Sequence, residues 1–189
     1  DARTPRALTE LDTLLQGLPP GRRGLPLALT VGRLHPVKGM ATLVETWATS
    51  DLGDRCNLLV VGGDLETPTS DEATQLERVH AVVPHEQAAH RGLLLAGHRP
   101  HAVVAVWMAA TRLGRPGLAA PHGVYVCASL KEEFGIAVLE AMACACPVVT
   151  SDRSAMPETA GGAAALADPE DPESIADAIV AACGERGPR

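Results

Sequence analysis

Two periods of apolar residues alternate along this chain. Leu8, Leu11, Leu14 and Leu15 recur at helical spacing and predict a helix over residues 5–16. Short apolar runs bounded by Gly, Pro or polar residues predict strands over 25–31, 57–61, 92–96, 123–128, 146–150 and 163–166. Between and after them the pattern predicts helices over 40–49, 71–83, 101–112, 136–146 and 174–183, the last stopped by Gly184. The 113–122 connection is Gly/Pro-rich and longer than is usual between a helix and a strand. About six strands alternating with helices predict a single Rossmann-like three-layer α/β/α domain with a parallel sheet. The expected division is a lead-in helix and linker over 1–24, the domain over 25–184 and a tail over 185–189.

One polar residue interrupts the most apolar stretch. From Ile136 to Cys146 every residue but Glu140 is apolar, which predicts a helix buried nearly all round. At about 100° per residue Glu140 falls close to Ile136 and Ala143 on the helical wheel, so it is expected to point into or along the packed side. An unpaired buried carboxylate costs roughly several kcal/mol, so Glu140 should meet hydrogen-bond donors of the protein or of a ligand's hydroxyls. Glu132 sits eight residues earlier in a polar loop, and Gly135 lets the chain turn into the helix start. Free backbone N–H groups and the helix dipole attract an anion there. The loop Gly32-Arg33-Leu34-His35-Pro36-Val37-Lys38-Gly39 carries two cations that either converge on a diphosphate or are solvated loop charges.

Composition narrows the class. The chain has 189 residues, 46% hydrophobic but only 2% aromatic, so its core is Ala, Val and Leu, which suits helices packed on a parallel sheet. A net charge of −7 with so few aromatics argues against nucleic-acid binding. No apolar run is long enough for a membrane span. Cys127, Cys144, Cys146 and Cys183 lie in apolar text without a C-x-x-C and are expected to be small buried thiols in a reducing cytosol. His98 and His101 have no acidic or Cys companion at ligand spacing and are expected to be loop or helix-capping residues rather than metal ligands. The chain begins at Asp1 without Met, as expected of a fragment or isolated domain, and its Ala/Arg/Gly/Pro richness suits a high-GC bacterial source.

The stretch from Ser129 to Cys144, S-x-x-E-x-F-G-x-x-x-L-E-A-M-A-C in outline, and V-G-R-L-x-P-x-K-G at Val31–Gly39 resemble retaining GT-B glycosyltransferases with the E-x7-E motif. The long 113–122 connection is similar to the sucrose-phosphate-synthase-like branch of that group, the glycosyl transferases group 1. The resemblance runs from Leu29 to Ala182. It implies the C-terminal donor domain of a two-domain enzyme, moving a hexose from a nucleoside diphosphate sugar to a hydroxyl acceptor with retention. Arg33 and Lys38 would bind the diphosphate, Glu132 the donor sugar and Glu140 the ribose, with Gly32, Phe134, Gly135 and Ile136 completing the donor site. Arg33, Lys38 and Glu132 would be the catalytic set. The implied partner is an N-terminal acceptor domain, and the end of the third strand would lie against the base. Without D-x-D no catalytic metal is implied. Ala145 and Ser154 stand where the family often has Gly, and Glu158 with Pro157 reads as a structural cap. The alternatives are a non-catalytic nucleotide-binding or regulatory module, and an epimerase or phosphorylase of the same fold.

Overall fold

The computed structural model of the protein describes residues 3–184, so the expected 185–189 tail lies outside the described residues. Six parallel strands form one sheet: β1 (Leu27–Val31), β2 (Asn57–Val61), β3 (Leu93–Gly97), β4 (Val124–Cys127), β5 (Val148–Ser151) and β6 (Ala165–Ala167). Their order is β3-β2-β1-β4-β5-β6. The chain steps outward from β1 to β3 and then returns to build the other half from β4, so the direction of winding reverses between β1 and β4. Connections leave that point to opposite sides, which opens a crevice at the carboxyl ends of these two strands.

Helices α1 (Arg3–Gln16), α2 (Met40–Thr49), α3 (Leu52–Arg55), α4 (Ser70–Val82), α5 (Ala88–Arg91), α6 (His101–Leu113), α7 (Ile136–Ala143), α8 (Met156–Ala160) and α9 (Pro172–Gly184) complete the described residues. Strand residues alternate between the two faces of the sheet. Ala28, Leu58 and Val60 pack with Leu43, Val44 and Trp47 of α2 and with Ile175 and Ile179 of α9. Leu29, Leu59 and Val61 pack on the other face with Leu11 and Leu15 of α1, Trp107 and Met108 of α6, and Val138 and Ala141 of α7. Each face thus holds one fully buried Trp whose indole N–H donates to a carbonyl: Trp47 to Cys56 at 3.0 Å and Trp107 to Ala7 at 2.8 Å.

The second of those bonds fixes the role of the first helix. Leu11 and Leu15 are fully buried against α6, and Arg115 in the long connection grips Asp12 with two hydrogen bonds of 2.7 Å. The helix that opens the chain is therefore a layer of the same core.

Three expectations are corrected. The helix over 136–146 ends at Ala143, and it is not buried all round: Val138 and Ala141 are buried, whereas Ile136 and Leu139 are exposed. Glu140 accordingly shares its side of the wheel with exposed residues and is half-buried, not enclosed. Of the cysteines, only Cys56 and Cys146 are buried, and Cys127, Cys144 and Cys183 are partly accessible. Glu158 is exposed in the first turn of α8, where no side chain caps the helix.

Candidate functional site

The loop after β1 is shaped by a glycine. Pro36–Lys38 forms a short 3-10 turn, held by His35, whose Nδ1 accepts from the Val37 amide at 3.3 Å. Gly39 then turns with φ 65°, and a Cβ there would stand 2.0 Å from the carbonyl oxygen of Ala128. Only glycine allows this approach of the β1 loop to the β4 loop. The Leu130 amide seals it with a 2.8 Å bond to the Val37 carbonyl. Lys38 is thereby brought to Glu132, Nζ lying 2.5 Å from Oε2 with both side chains mostly buried.

A second glycine starts α7. Gly135 has φ 75°, and a Cβ there would meet the Met156 Cε at 2.4 Å. The amides of Val138 and Leu139 both bond the Gly135 carbonyl, whereas those of Ile136 and Ala137 make no hydrogen bond among the described residues. These unsatisfied amides face the crevice with the positive end of the helix. Thr159 Oγ1 supports the turn from behind, donating to the Phe134 carbonyl at 2.8 Å.

The crevice at the ends of β1 and β4 is a cavity of about 440 Å³. Gly32, Arg33, Lys38, Glu132, Phe134, Gly135 and Ile136 all line it, so seven of the eight positions named from the sequence meet in one place. Glu140 does not line it. Its carboxylate hydrogen-bonds Nε2 of His101, the first residue of α6. His101 is therefore not a capping residue, since Pro100 occupies the N-cap with no side-chain bond, while His98 is an exposed loop residue.

Sequence reasoning overlooked the floor. Thr30, Tyr125, Cys127 and Ser129 come from the ends of β1 and β4 and line the same cavity. Their apolar or neutral surroundings carry no motif, and only the strand order reveals them. Complete burial drives the Tyr125 phenol well above its ordinary pKa, with the carboxylates of Glu132 and Glu140 adding to the shift, so it is a neutral hydroxyl. Cys127 Sγ lies 3.4 Å from Ser129 Oγ.

A neighbouring cavity of about 690 Å³ opens beyond the ends of β2 and β3, lined by Asp64, Leu65, Gly97, His98 and Arg99. Arg33 borders both cavities. Two of the acids that line this second space, Asp64 and Glu72, are committed to local structure. Asp64 accepts the amides of Glu66 and Thr67 at 2.9 Å, and Glu72 closes a capping box with Thr69. These bonds hold both carboxyls below their ordinary pKa. Among the described residues no cluster of His, Cys, Asp and Glu has the form of a metal site, and no helix is long and apolar enough to cross a membrane.

The comparisons with known proteins agree with this architecture. A sucrose synthase of Acidithiobacillus caldus is 29% identical over 151 residues, covering 74% of this chain and 18% of that protein. A D-inositol 3-phosphate glycosyltransferase of Acidothermus cellulolyticus is 30% identical over 169 residues, 84% of this chain and 34% of its own length. The solved sucrose-phosphate synthase of Thermosynechococcus elongatus superimposes with a TM-score of 0.66 at 30% identity, over 88% of this chain and 37% of that one. The chain thus spans well under half the length of these relatives, and its sheet and helices match the C-terminal Rossmann-like half of GT-B glycosyltransferases. The profile of Glycosyl transferases group 1 matches residues 26–184, and the chain belongs to that family.

Proposed function

We propose that this chain is the donor-binding half of a retaining hexosyltransferase that uses a nucleoside diphosphate sugar. The observation that carries the reading is the convergence of Arg33, Lys38 and the open amides of Ile136 and Ala137 on one cavity at the sheet's reversal point. Two side-chain cations and a helix start are a site for a polyanion, and in a partly enclosed cavity their attraction is stronger than in water. Side-chain cations take the role that a glycine-rich phosphate loop plays elsewhere, since the chain has neither a P-loop nor G-x-G-x-x-G.

In this reading Arg33 and Lys38 hold the diphosphate, Glu132 faces the donor sugar, and Glu140 takes the ribose hydroxyls. The base occupies the neighbouring cavity past Arg33, against the end of β3. Transfer breaks the bond between the anomeric carbon and the diphosphate oxygen, and the electron pair leaves with the diphosphate. The acceptor hydroxyl oxygen bonds the anomeric carbon on the same face, and its proton ends on the diphosphate. Arg33, Lys38 and the α7 amides stabilise the charge growing on the leaving group, which is where electrostatic catalysis acts. The E-x7-E pair, Glu132 and Glu140, orients the sugar and nucleoside around that bond. An N-terminal acceptor-binding domain supplies the other wall of the cleft and the nucleophile's site.

Ligand-observed NMR with UDP, GDP, ADP and their hexose conjugates tests the reading. At least one is expected to bind the chain, with no transfer to acceptors in the absence of the second domain. Failure of every nucleotide to bind at millimolar concentration overturns the donor site, and transfer by this chain alone overturns the two-domain requirement.

A further inference from the structure

Glu140 is the one charged residue in the apolar text of α7, and a residue from another element holds it. Oε1 is bonded to Nε2 of His101, while Oε2 makes no hydrogen bond among the described residues. The two side chains are unequally placed: Glu140 is 24% exposed and His101 74%. A contact with one partner so open to solvent contributes little to stability. Nor does His101 serve its own helix. It occupies the first position of α6, where the dipole disfavours a positive ring, and Pro100 is already the N-cap. The pair is thus unexplained as a fold-stabilising device.

Its location suggests another task. α6 begins at His101, separated by Pro100 from Arg99, which with His98 borders the larger cavity, and α7 begins at Ile136, which with its N-cap Gly135 borders the smaller one. The His101–Glu140 contact joins the first residue of α6 to the middle of α7, and Arg33 marks the boundary between the two cavities. A nucleoside diphosphate laid with its phosphates in one cavity and its base in the other passes its ribose along this boundary. A carboxylate can accept both hydroxyls of a ribose diol, but only if its side-chain torsions are fixed beforehand.

We propose that His101 is a positioning residue of the nucleotide site. Resting on the reading of Glu140 as the ribose acceptor, the inference is that the imidazole N–H holds Oε1 and so aims Oε2 at the ribose diol. His101 touches the carboxylate and not the reacting atoms.

The test compares the wild type with His101→Ala, His101→Gln and Glu140→Gln. Each is titrated with whichever of UDP, GDP and ADP the wild type binds, and with its 2′,3′-dideoxy counterpart. The expected wild-type preference for the ribo form falls about tenfold in His101→Ala, the size of one charge-assisted hydrogen bond, while affinity for the dideoxy form is unchanged. Glu140→Gln loses the same preference, and His101→Gln, whose amide can still donate, recovers part of it. A preference retained in His101→Ala overturns the proposal, even if the melting temperature falls. So does an equal loss for both ligands, which would mean that the ring acts on something other than the ribose. Wild type that binds none of the three nucleotides removes the donor-site reading itself, whereas a wild-type preference that both His101 variants keep removes only the role of His101.

Discussion

Lys38 Nζ and Glu132 Oε2 stand 2.5 Å apart, joining the loops after β1 and β4 across the reversal point of the sheet. They come from positions 94 residues apart and meet because Gly39 lets the two loops touch. Each is about one-fifth exposed, so neither charge is fully solvated. The cation assigned to the diphosphate thus already has an anionic partner.

That pairing predicts opposite effects for its two members. Lys38→Ala removes a charge-assisted contact and should weaken nucleoside diphosphate binding by about 1.5–3 kcal/mol. Glu132→Gln removes the competitor for Lys38 and should tighten binding of the sugar-free diphosphate while impairing use of the sugar donor. Calorimetry with UDP, GDP and ADP checks both. Equal weakening in the two variants would show that Glu132 assists the diphosphate and does not compete for Lys38.

Much of this fold was legible in the chain's periodicity, and the exceptions have physical causes. The bounds of β2 are legible to the residue because Leu58, Leu59, Val60 and Val61 form a buried β-branched and Leu run, bounded by glycines at one end. The exposure of Ile136 and Leu139 was not legible, because hydropathy says how apolar a helix is and not which side faces a cleft. The seven cavity residues could be named together because the two stretches that carry the family resemblance are local text, and the fold brings those stretches to one cavity. The His101–Glu140 contact spans 39 residues and has no local signature. The helical spacing of Leu11 and Leu15 announced α1, but its docking on α6 is a tertiary fact.

Two residues other than glycine, Ala145 and Ser154, sit in a strained backbone conformation. Ala145 has φ 52° and Ser154 has φ 57°, left-handed conformations that cost an L-residue roughly 1–2 kcal/mol. Ala145→Gly and Ser154→Gly should each stabilise the chain, by up to about 1 kcal/mol once the greater freedom of unfolded glycine is subtracted. Urea unfolding measures the effect. A lower midpoint in either variant would mean that the lost methyl or hydroxymethyl group packs better than the strain costs.

The thiols predict an alkaline weakness. Burial pushes Cys56 and Cys146 up to about 12 and Cys183 to about 11. An unfolded thiol ionises near pH ~8.5, so above that value the unfolded chain releases protons that the folded one keeps. The stabilising contribution is whole below about pH 8.5 and is lost as pH rises towards the folded values. Denaturation midpoints should fall through that range, and Cys56→Ala or Cys146→Ala should flatten the slope. At neutral pH iodoacetamide should spare Cys56 and Cys146 and reach Cys127 in the cleft, more slowly when a nucleoside diphosphate is bound.

The glycines that shape the cavity should differ in what they tolerate. Both Gly39 and Gly135 have positive φ, so alanine at either bears a left-handed strain of roughly 1–2 kcal/mol. Beyond that, the new methyl group at 39 meets the Ala128 carbonyl oxygen at 2.0 Å, and a backbone atom cannot step aside without moving the β4 loop. At 135 it meets the Met156 Cε at 2.4 Å, the far end of a flexible though fully buried side chain. Gly39→Ala should therefore be the more destabilising in urea unfolding. It should also weaken nucleoside diphosphate binding, because the loops that bring Lys38 to Glu132 are forced apart. Gly135→Ala should cost stability mainly at the start of α7, and adding Met156→Leu, which shortens the obstructing side chain, should return part of the loss. Greater harm from Gly135→Ala, or nucleotide affinity untouched by Gly39→Ala, would contradict the loop contact as the element that sets the site.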